Sequence, residues 1–262
     1  MAEALRSPAP ATTVPATSRP VILCRALGVS AGRRPVLRGI DLEVPPRGVL
    51  GILGPSGAGK STLLKCLNRL VDLEPELVVQ GRVDFHGAPV YGAGVDPDRL
   101  RERIGILFQQ PAVFPRSIYQ NAIFGVRHLG RAPRRRWRQI AETALRRVHL
   151  WAEVRDRLDR PAAELSVGQQ QRLCLARTLA LEPEVVLMDE PTSALDPRAT
   201  AAIEELIAEL SARRAVVLVT HDEDQARRVC DRIARLRLGD RGGELAEVVP
   251  NPRPRRREEQ GG

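Results

Sequence analysis

Residues 54–62 of the chain are Gly54, Pro55, Ser56, Gly57, Ala58, Gly59, Lys60, Ser61 and Thr62. Their spacing, Gly-x-x-x-x-Gly-Lys-Ser, is that of a loop that wraps phosphate groups. Glycines let backbone N–H groups turn inward and come close to anionic oxygens. A helix starting at Lys60 aims its positive end at the same anion. Lys60 would reach the outer phosphates as a point charge, and the Ser61 hydroxyl would bind magnesium. A second stretch complements the first. Residues 185–190 are four apolar residues closing on Asp189 and Glu190. A buried strand ending in acid suits metal holding by Asp189, and Glu190 would accept a proton from an attacking water. Ser166 and Gly168 open a helix and offer a further anion-binding N-terminus, although in isolation they read as an ordinary helix cap. His221 follows another apolar run, residues 215–220, where it could sense a terminal phosphate.

These groups need strands to deliver them. The apolar run 48–53 precedes the glycine loop. After the loop, Leu63, Leu64, Leu67 and Leu70 recur at helical spacing over residues 62–70. The pattern predicts strands over residues 21–27, 39–44 and 104–110, a strand–turn–strand over 81–90, and a short capped helix over 96–103. From 111 to about 181 it turns helical, with Ser117 and Ser166 as caps and a charged helix over 132–149. Strands then return at 185–189, 215–220 and 233–238, with helices over 199–212 and 223–231 between them. A β-rich start, a helical insert and a βαβαβ return predict an α/β domain with a parallel-core sheet and a helical subdomain. The ends, 1–19 and 251–262, read as a flexible Pro/Ala/Thr tail and a disordered arginine-rich tail.

The formal net charge of +9 invites a nucleic-acid reading. Composition argues against it. Of the 41 basic residues only Lys60 and Lys65 are lysine, so arginine enrichment is a bias of the whole chain. The bias also sharpens the loop motif, because a planar guanidinium cannot replace a compact ammonium at position 60. The cluster of Arg131, Arg134, Arg135, Arg136 and Arg138 reads as a solvated helix face. Trp137 and Trp151 read as packing residues. The four cysteines, Cys24, Cys66, Cys174 and Cys230, have no paired spacing and read as buried thiols in a reducing compartment. No apolar run reaches membrane-spanning length.

The phosphate loop, Gln109, the stretch 165–171, the stretch 185–196 and His221 follow the order and spacing of ABC-transporter ATPase subunits. The resemblance covers about residues 21–240. Stretches 65–75, 114–130 and 169–197 look most like the ATPase of bacterial high-affinity phosphate importers. The resemblance implies a P-loop NTPase fold of ABC type with an N-terminal antiparallel β part. It places the ATPase domain at about 20–250, with the helical subdomain inserted at about 111–181. It implies a head-to-tail homodimer with ATP and Mg2+ at the interface. Each ATP would lie on residues 54–62 of one copy, under Ser166, Gly168 and Gln169 of the other. Glu190 would be the catalytic base, and His221 would hold the γ-phosphate. Gln109 would link the metal, held by Ser61 and Asp189, to the helical subdomain. Asp196 would shape the dimer contact. Two membrane permease subunits would dock on the helical insert, especially 111–126, and an extracytoplasmic phosphate-binding protein would act indirectly. The subunit would sit peripherally on the cytoplasmic face of the bacterial plasma membrane and bind no nucleic acid. Energising import of another solute, such as an amino acid, is the alternative, followed by a soluble ABC ATPase outside transport.

Three positions and the C-terminal end depart from the pattern. Ala31 stands where the resemblance leads one to expect an adenine-stacking tyrosine, leaving Arg33 or Arg34 to cover the base. Val167 replaces the first glycine of the usual LSGGQ, which predicts slowed turnover rather than its loss. Asp222 replaces an asparagine. The arginine-rich C-terminal end lacks an aromatic tail.

Overall fold

In the computed structural model, residues 19–239 and 242–251 are described. Most of both predicted tails lies outside them. Strand β8 (Ala215–Val219) shows what organises the molecule. All five of its residues are apolar and buried. Ala215, Val217 and Val219 pack into one hydrophobic cluster, and Val216 and Leu218 into another. Side chains alternate along a strand, so this composition requires both sheet faces to be covered, as in a parallel sheet between helical layers. β7 (Val185–Asp189) repeats the pattern, with Val185 and Leu187 on one side and Val186 and Met188 on the other.

β3 (Gly48–Leu53) and β6 (Ile104–Leu107) flank this pair in parallel, and β9 (Arg232–Gly239) lies parallel to β3 on its other side. The remaining strands are β1 (Ile22–Ala31), β2 (Arg34–Val44), β4 (Leu77–Phe85), β5 (Ala88–Pro89) and β10 (Gly242–Pro250). The described residues join all of them in one ten-stranded sheet, ordered β5-β4-β1-β2-β10-β9-β3-β8-β7-β6. β5, β4, β1 and β2 pair antiparallel.

Helix α1 (Lys60–Leu67) buries Leu63, Leu64, Cys66 and Leu67 against one face. α2 (Pro97–Arg103) leads into β6 and is capped by Asp96. Next come α3 (Ile118–Ala122), α4 (Phe124–His128), α5 (Trp137–Arg147), α6 (Trp151–Val154) and α7 (Val167–Leu179). All of these but α4 share the opposite cluster with α8 (Pro197–Ser211) and α9 (Glu223–Val229). Trp137 and Trp151 pack on that cluster beneath Arg127 and Arg146, so both serve packing. The four cysteines are buried and form no disulfide among the described residues. Burial pushes the Cys24 and Cys66 thiols up to about 12, which keeps them protonated.

Several elements differ from the pattern-based expectation. The charged helix over 132–149 is instead a 3-10 turn at Arg134–Arg136 followed by α5, with Pro133 ahead of both. β4 starts at Leu77 rather than 81, and β1 and β2 are longer than their apolar runs. Irregular pairing hides them. β1 bulges between Arg25 and Gly28, where Ala26 has φ 45°, and that shift breaks the alternation a reader of the sequence looks for. β10, GGELAEVVP, has no alternating apolar pattern to announce it. It pairs antiparallel with β9 and meets β2 in parallel at Gly243–Leu37, so it joins the two halves of the sheet.

β10 also braces the phosphate loop. A side chain at Gly243 would place its Cβ 2.1 Å from the Ala58 carbonyl oxygen, and one at Gly59, where φ is 82°, would strike Leu37 of β2. Both strands therefore press on the loop's base with no space to spare. Gly243→Ala should cost about 1–3 kcal/mol of stability through overpacking against backbone. Urea unfolding measures this directly, and an unchanged midpoint and slope would contradict the close approach.

Candidate nucleotide and hydrolysis site

The rungs of the parallel sheet set the site. Ile52 of β3 faces Val219 of β8, and Val219 faces Asp189 of β7; one rung earlier, Gly51, Leu218, Met188 and Leu107 line up across four strands. All four chains therefore leave the sheet at one edge. There β3 feeds the phosphate loop, β7 delivers Asp189 and Glu190, β8 leads to His221, and β6 leads to Gln109. This carboxyl edge is where open parallel sheets bind ligands.

Within the loop, Lys60 is only 7% exposed. Its Nζ donates to the carbonyl oxygens of Gly54 (2.8 Å) and Pro55 (3.1 Å), which satisfies an otherwise costly buried ammonium. Gly57 and Gly59 have φ of 80° and 82°, a region that side-chain-bearing residues rarely adopt. The Ser61 hydroxyl donates to Asp189 Oδ1 at 3.0 Å across two strands. Burial pushes the Asp189 carboxyl above the usual carboxylate range. Glu190 adds to that shift, while the Ser61 hydroxyl and the charges of Lys65 and Lys60 oppose it. Hydroxyl and carboxylate are hard oxygen donors suited to Mg2+, an ion that takes one or two protein ligands and completes its shell with phosphate and water. Among the described residues no group of three or more His, Cys, Asp or Glu could hold a metal ion.

Glu190 has φ 44°, in the left-handed region. Such a backbone costs about 1–3 kcal/mol and persists only where its surroundings over-determine it. Here the Glu190 N–H donates to Val219 O (3.0 Å), and its carbonyl accepts from both the N–H (3.2 Å) and the hydroxyl (3.1 Å) of Ser193. The Glu190 carboxylate lies 3.0 Å from His221 Nδ1. Gln109 donates from Nε2 to Ser193 Oγ at 3.1 Å and so joins the same turn. Glu190, His221, Gln109 and Ser193 form one network, and Ser61 with Asp189 stands beside it.

Ser166, Gly168 and Gln169 stand apart. Among the described residues no hydrogen bond ties them to residues 54–62. Ser166 and Gln169 make a reciprocal capping box at the start of α7. Gln169 also donates to Glu153 Oε2 (2.7 Å), and Arg172 grips the same carboxylate at 2.7 and 3.2 Å. Val167 occupies the first helical position, with no positive φ, and is 47% exposed. Asp196 caps α8, accepting from the N–H groups of Arg198 and Ala199. Asp222 caps α9 in the same way, and an asparagine oxygen would do this equally well. Ala31, Arg33 and Arg34 close the β1–β2 hairpin, where both arginines are exposed.

Four contributors had no role assigned from the sequence. Ser193 and Glu153 act through side-chain hydrogen bonds that no spacing rule announces. Gln171 and Gln225 are buried polar residues. A signal existed for Gln171, which sits on the face of α7 that also carries Cys174 and Leu175, three and four positions on.

A phosphate loop served by neighbouring strand ends in this order defines the class of phosphate-loop nucleotide hydrolases. Residues 37–193, more than half of the chain, match the ABC transporter family, and the chain belongs to that family. It is 49% identical over 208 residues to the phosphate import ATP-binding protein PstB of Idiomarina loihiensis, covering 79% of this chain and 76% of that protein. CbiO1 of Clostridium perfringens, part of the ABC transporter complex CbiONQ, shares the fold with a TM-score of 0.75 and 29% identity, over 89% of this chain and 90% of that one. A bacterial Atm1-family ABC exporter with ATP bound superposes with a TM-score of 0.72 at 28% identity, over 93% of this chain and 41% of that chain.

Glu153 anchors the opening of α7. Burial would raise its pKa, but hydrogen bonds from Arg172 and Gln169 and the charges of Arg172 and Arg157 outweigh that and hold it below the ordinary glutamate range. A depressed acid stabilises the fold above its unfolded pKa and loses that contribution as pH falls through the folded value. Its side chain is 39% exposed, so screening reduces the effect. Glu153→Gln should therefore cost about 0.5–1 kcal/mol between pH 7 and 5, with the gap from the parent protein closing below about pH 4. Urea melts of both proteins across that range provide the check; a gap that widens on acidification would contradict the assignment.

Proposed function

We propose that the chain is the ATP-hydrolysing subunit of an importer for inorganic phosphate. The observation that carries the cargo is the 49% identity to a phosphate import ATP-binding protein over most of both chains. The observation that supports hydrolysis is the joining of Glu190 and His221 beside the Ser61–Asp189 pair. Lys60 exchanges its two loop carbonyls for oxygens of the outer phosphates, a like-for-like replacement of acceptors. Ser61 and Asp189 hold Mg2+. When bound, that ion neutralises charge on the phosphate oxygens. Glu190 accepts the proton of the attacking water. His221 keeps Nε2 for the terminal phosphate while Nδ1 engages Glu190, and Gln109 joins this centre to the helical region through Ser193.

Two copies meet head to tail in this reading. The support is that Ser166, Gly168 and Gln169 form a capped, anion-ready helix start with an exposed Val167, apart from the loop of their own chain. Asp196, at the cap of α8, shapes that contact. Membrane permease subunits receive the 111–126 region, and a phosphate-binding protein outside the membrane delivers cargo. Among the described residues no helix is long and apolar enough to cross a membrane, which suits a peripheral subunit held on the cytoplasmic face by its permease.

Glu190→Gln should lower kcat by at least 100-fold, removing the base while leaving ATP binding intact. Gel filtration should then show an ATP-bound dimer. Reconstituted with its permease in vesicles, the parent protein should hydrolyse ATP faster when phosphate and the binding protein are supplied. Stimulation by an amino acid instead would reassign the cargo and leave the hydrolytic reading in place. Arg33→Ala combined with Arg34→Ala should weaken ATP binding severalfold while barely changing inorganic triphosphate binding. Equal effects on both would remove the arginines from the base.

A further inference from the structure

The turn that carries the base is gripped from beneath by a buried glutamine. Gln171 lies in α7, five residues after Ser166, and is completely buried. Its Nε2 donates to Phe108 O at 2.9 Å and to Pro191 O at 3.2 Å. Phe108 immediately precedes Gln109, and Pro191 immediately follows Glu190. One amide nitrogen thus ties together the backbones on which two members of the catalytic network are mounted. The amide orientation is dictated by its surroundings, because a flipped Oε1 would face two carbonyl oxygens. Oε1 is buried without a partner among the described residues, so the side chain makes this double contact while leaving a polar atom unsatisfied. A second glutamine grips the same turn from the other side. Gln225 of α9, 1% exposed, donates to Thr192 Oγ1 at 2.8 Å and to Glu204 of α8 at 3.2 Å.

We propose that Gln171 is a positioning residue for ATP hydrolysis. It holds the left-handed Glu190 turn and the Gln109 loop in register with the helix whose N-terminus bears Ser166 and Gly168. The proposal rests on the hydrolytic reading above. The left-handed backbone at Glu190 is the reason a clamp is needed: relaxation of that φ swings the carboxylate away from His221. Gln171 touches no reacting atom. It acts through carbonyl oxygens, and it gives the helix opened by Ser166 a direct mechanical hold on the base and on Gln109.

The test compares Gln171→Met, which fills the space but donates nothing, with Gln171→Glu. Burial keeps a carboxyl there protonated, so it can donate to one carbonyl but not two. Steady-state hydrolysis of MgATP, ATP affinity and thermal unfolding are measured on the full chain. Gln171→Met should lower kcat about tenfold or more while KM and ATP affinity stay within about twofold. Gln171→Glu should retain more kcat than Gln171→Met and lose that advantage as pH rises and its carboxyl ionises. Leu173→Ala serves as a control for core damage in the same helix. The proposal is overturned if both Gln171 variants lose activity equally at every pH, if KM rises with kcat unchanged, or if kcat falls only in proportion to the unfolding temperature as it does for Leu173→Ala. A parent protein that binds ATP without hydrolysing it would instead overturn the functional reading on which the proposal stands.

Discussion

The rung Ile52–Val219–Asp189 is the constraint from which the rest follows. A parallel strand buried on both faces has no polar side to slide against. A shift by one residue would exchange every side chain between the two hydrophobic clusters. β8 and β7, with apolar residues alternating between those clusters, are locked in this way. Locking fixes where each strand stops, and where it stops decides which loop stands beside which. The Ser61–Asp189 and Glu190–His221 contacts are thus products of sheet register before they are products of loop conformation. Close packing tightens the lock. A Cβ at Gly51 would lie 2.6 Å from Cys230 Sγ, so β3 tolerates no added bulk where it passes the segment leading to β9.

The glycine loop depends on its supports as much as on its own residues. A buried ammonium is expensive unless it is hydrogen-bonded, and Lys60 meets that requirement with two carbonyls of the loop it serves. The Pro55 carbonyl also accepts from the Ala58 N–H (3.2 Å), and Leu37 of β2 and Gly243 of β10 press on Gly59 and Ala58. The antiparallel half of the sheet is therefore structurally part of the phosphate site. β10 connects it to the parallel half, which explains why a strand of undistinguished composition matters to a loop almost two hundred residues earlier in the chain.

Much of this was legible in the sequence because its physics is local. A phosphate loop needs particular residues at fixed spacing, and a strand buried on both faces advertises itself as an apolar run. Helix caps at Ser117 and Ser166 are likewise readable from one side chain and its neighbours. What escaped was made by distant partners. β10 is a strand because β9 and β2 pair with it. The Ala26 bulge shifts the register of β1 without any local marker. The left-handed backbone of Glu190 is imposed by Ser193 and Val219, against the preference of an ordinary side chain. Gln171 reads as one of three consecutive glutamines until its burial and two acceptors are known.

The same contrast bears on how a signal could pass through the molecule. The start of α7 is held outward by Glu153, Arg172 and the Ser166–Gln169 capping box, and it presents an apolar, half-exposed Val167. A little over one turn further along, the same helix is fastened to the backbones beside Gln109 and Glu190. A rigid helix cannot shift at one end and stay fixed at the other. Movement of the Ser166–Gly168 end would therefore pull on the turn that carries Glu190. A left-handed residue suits such an arrangement, because it stays put only while several contacts agree. The Glu190 turn, held by Val219, Ser193 and Gln171 together, thus lies between the opening of α7 and the loop that follows β3.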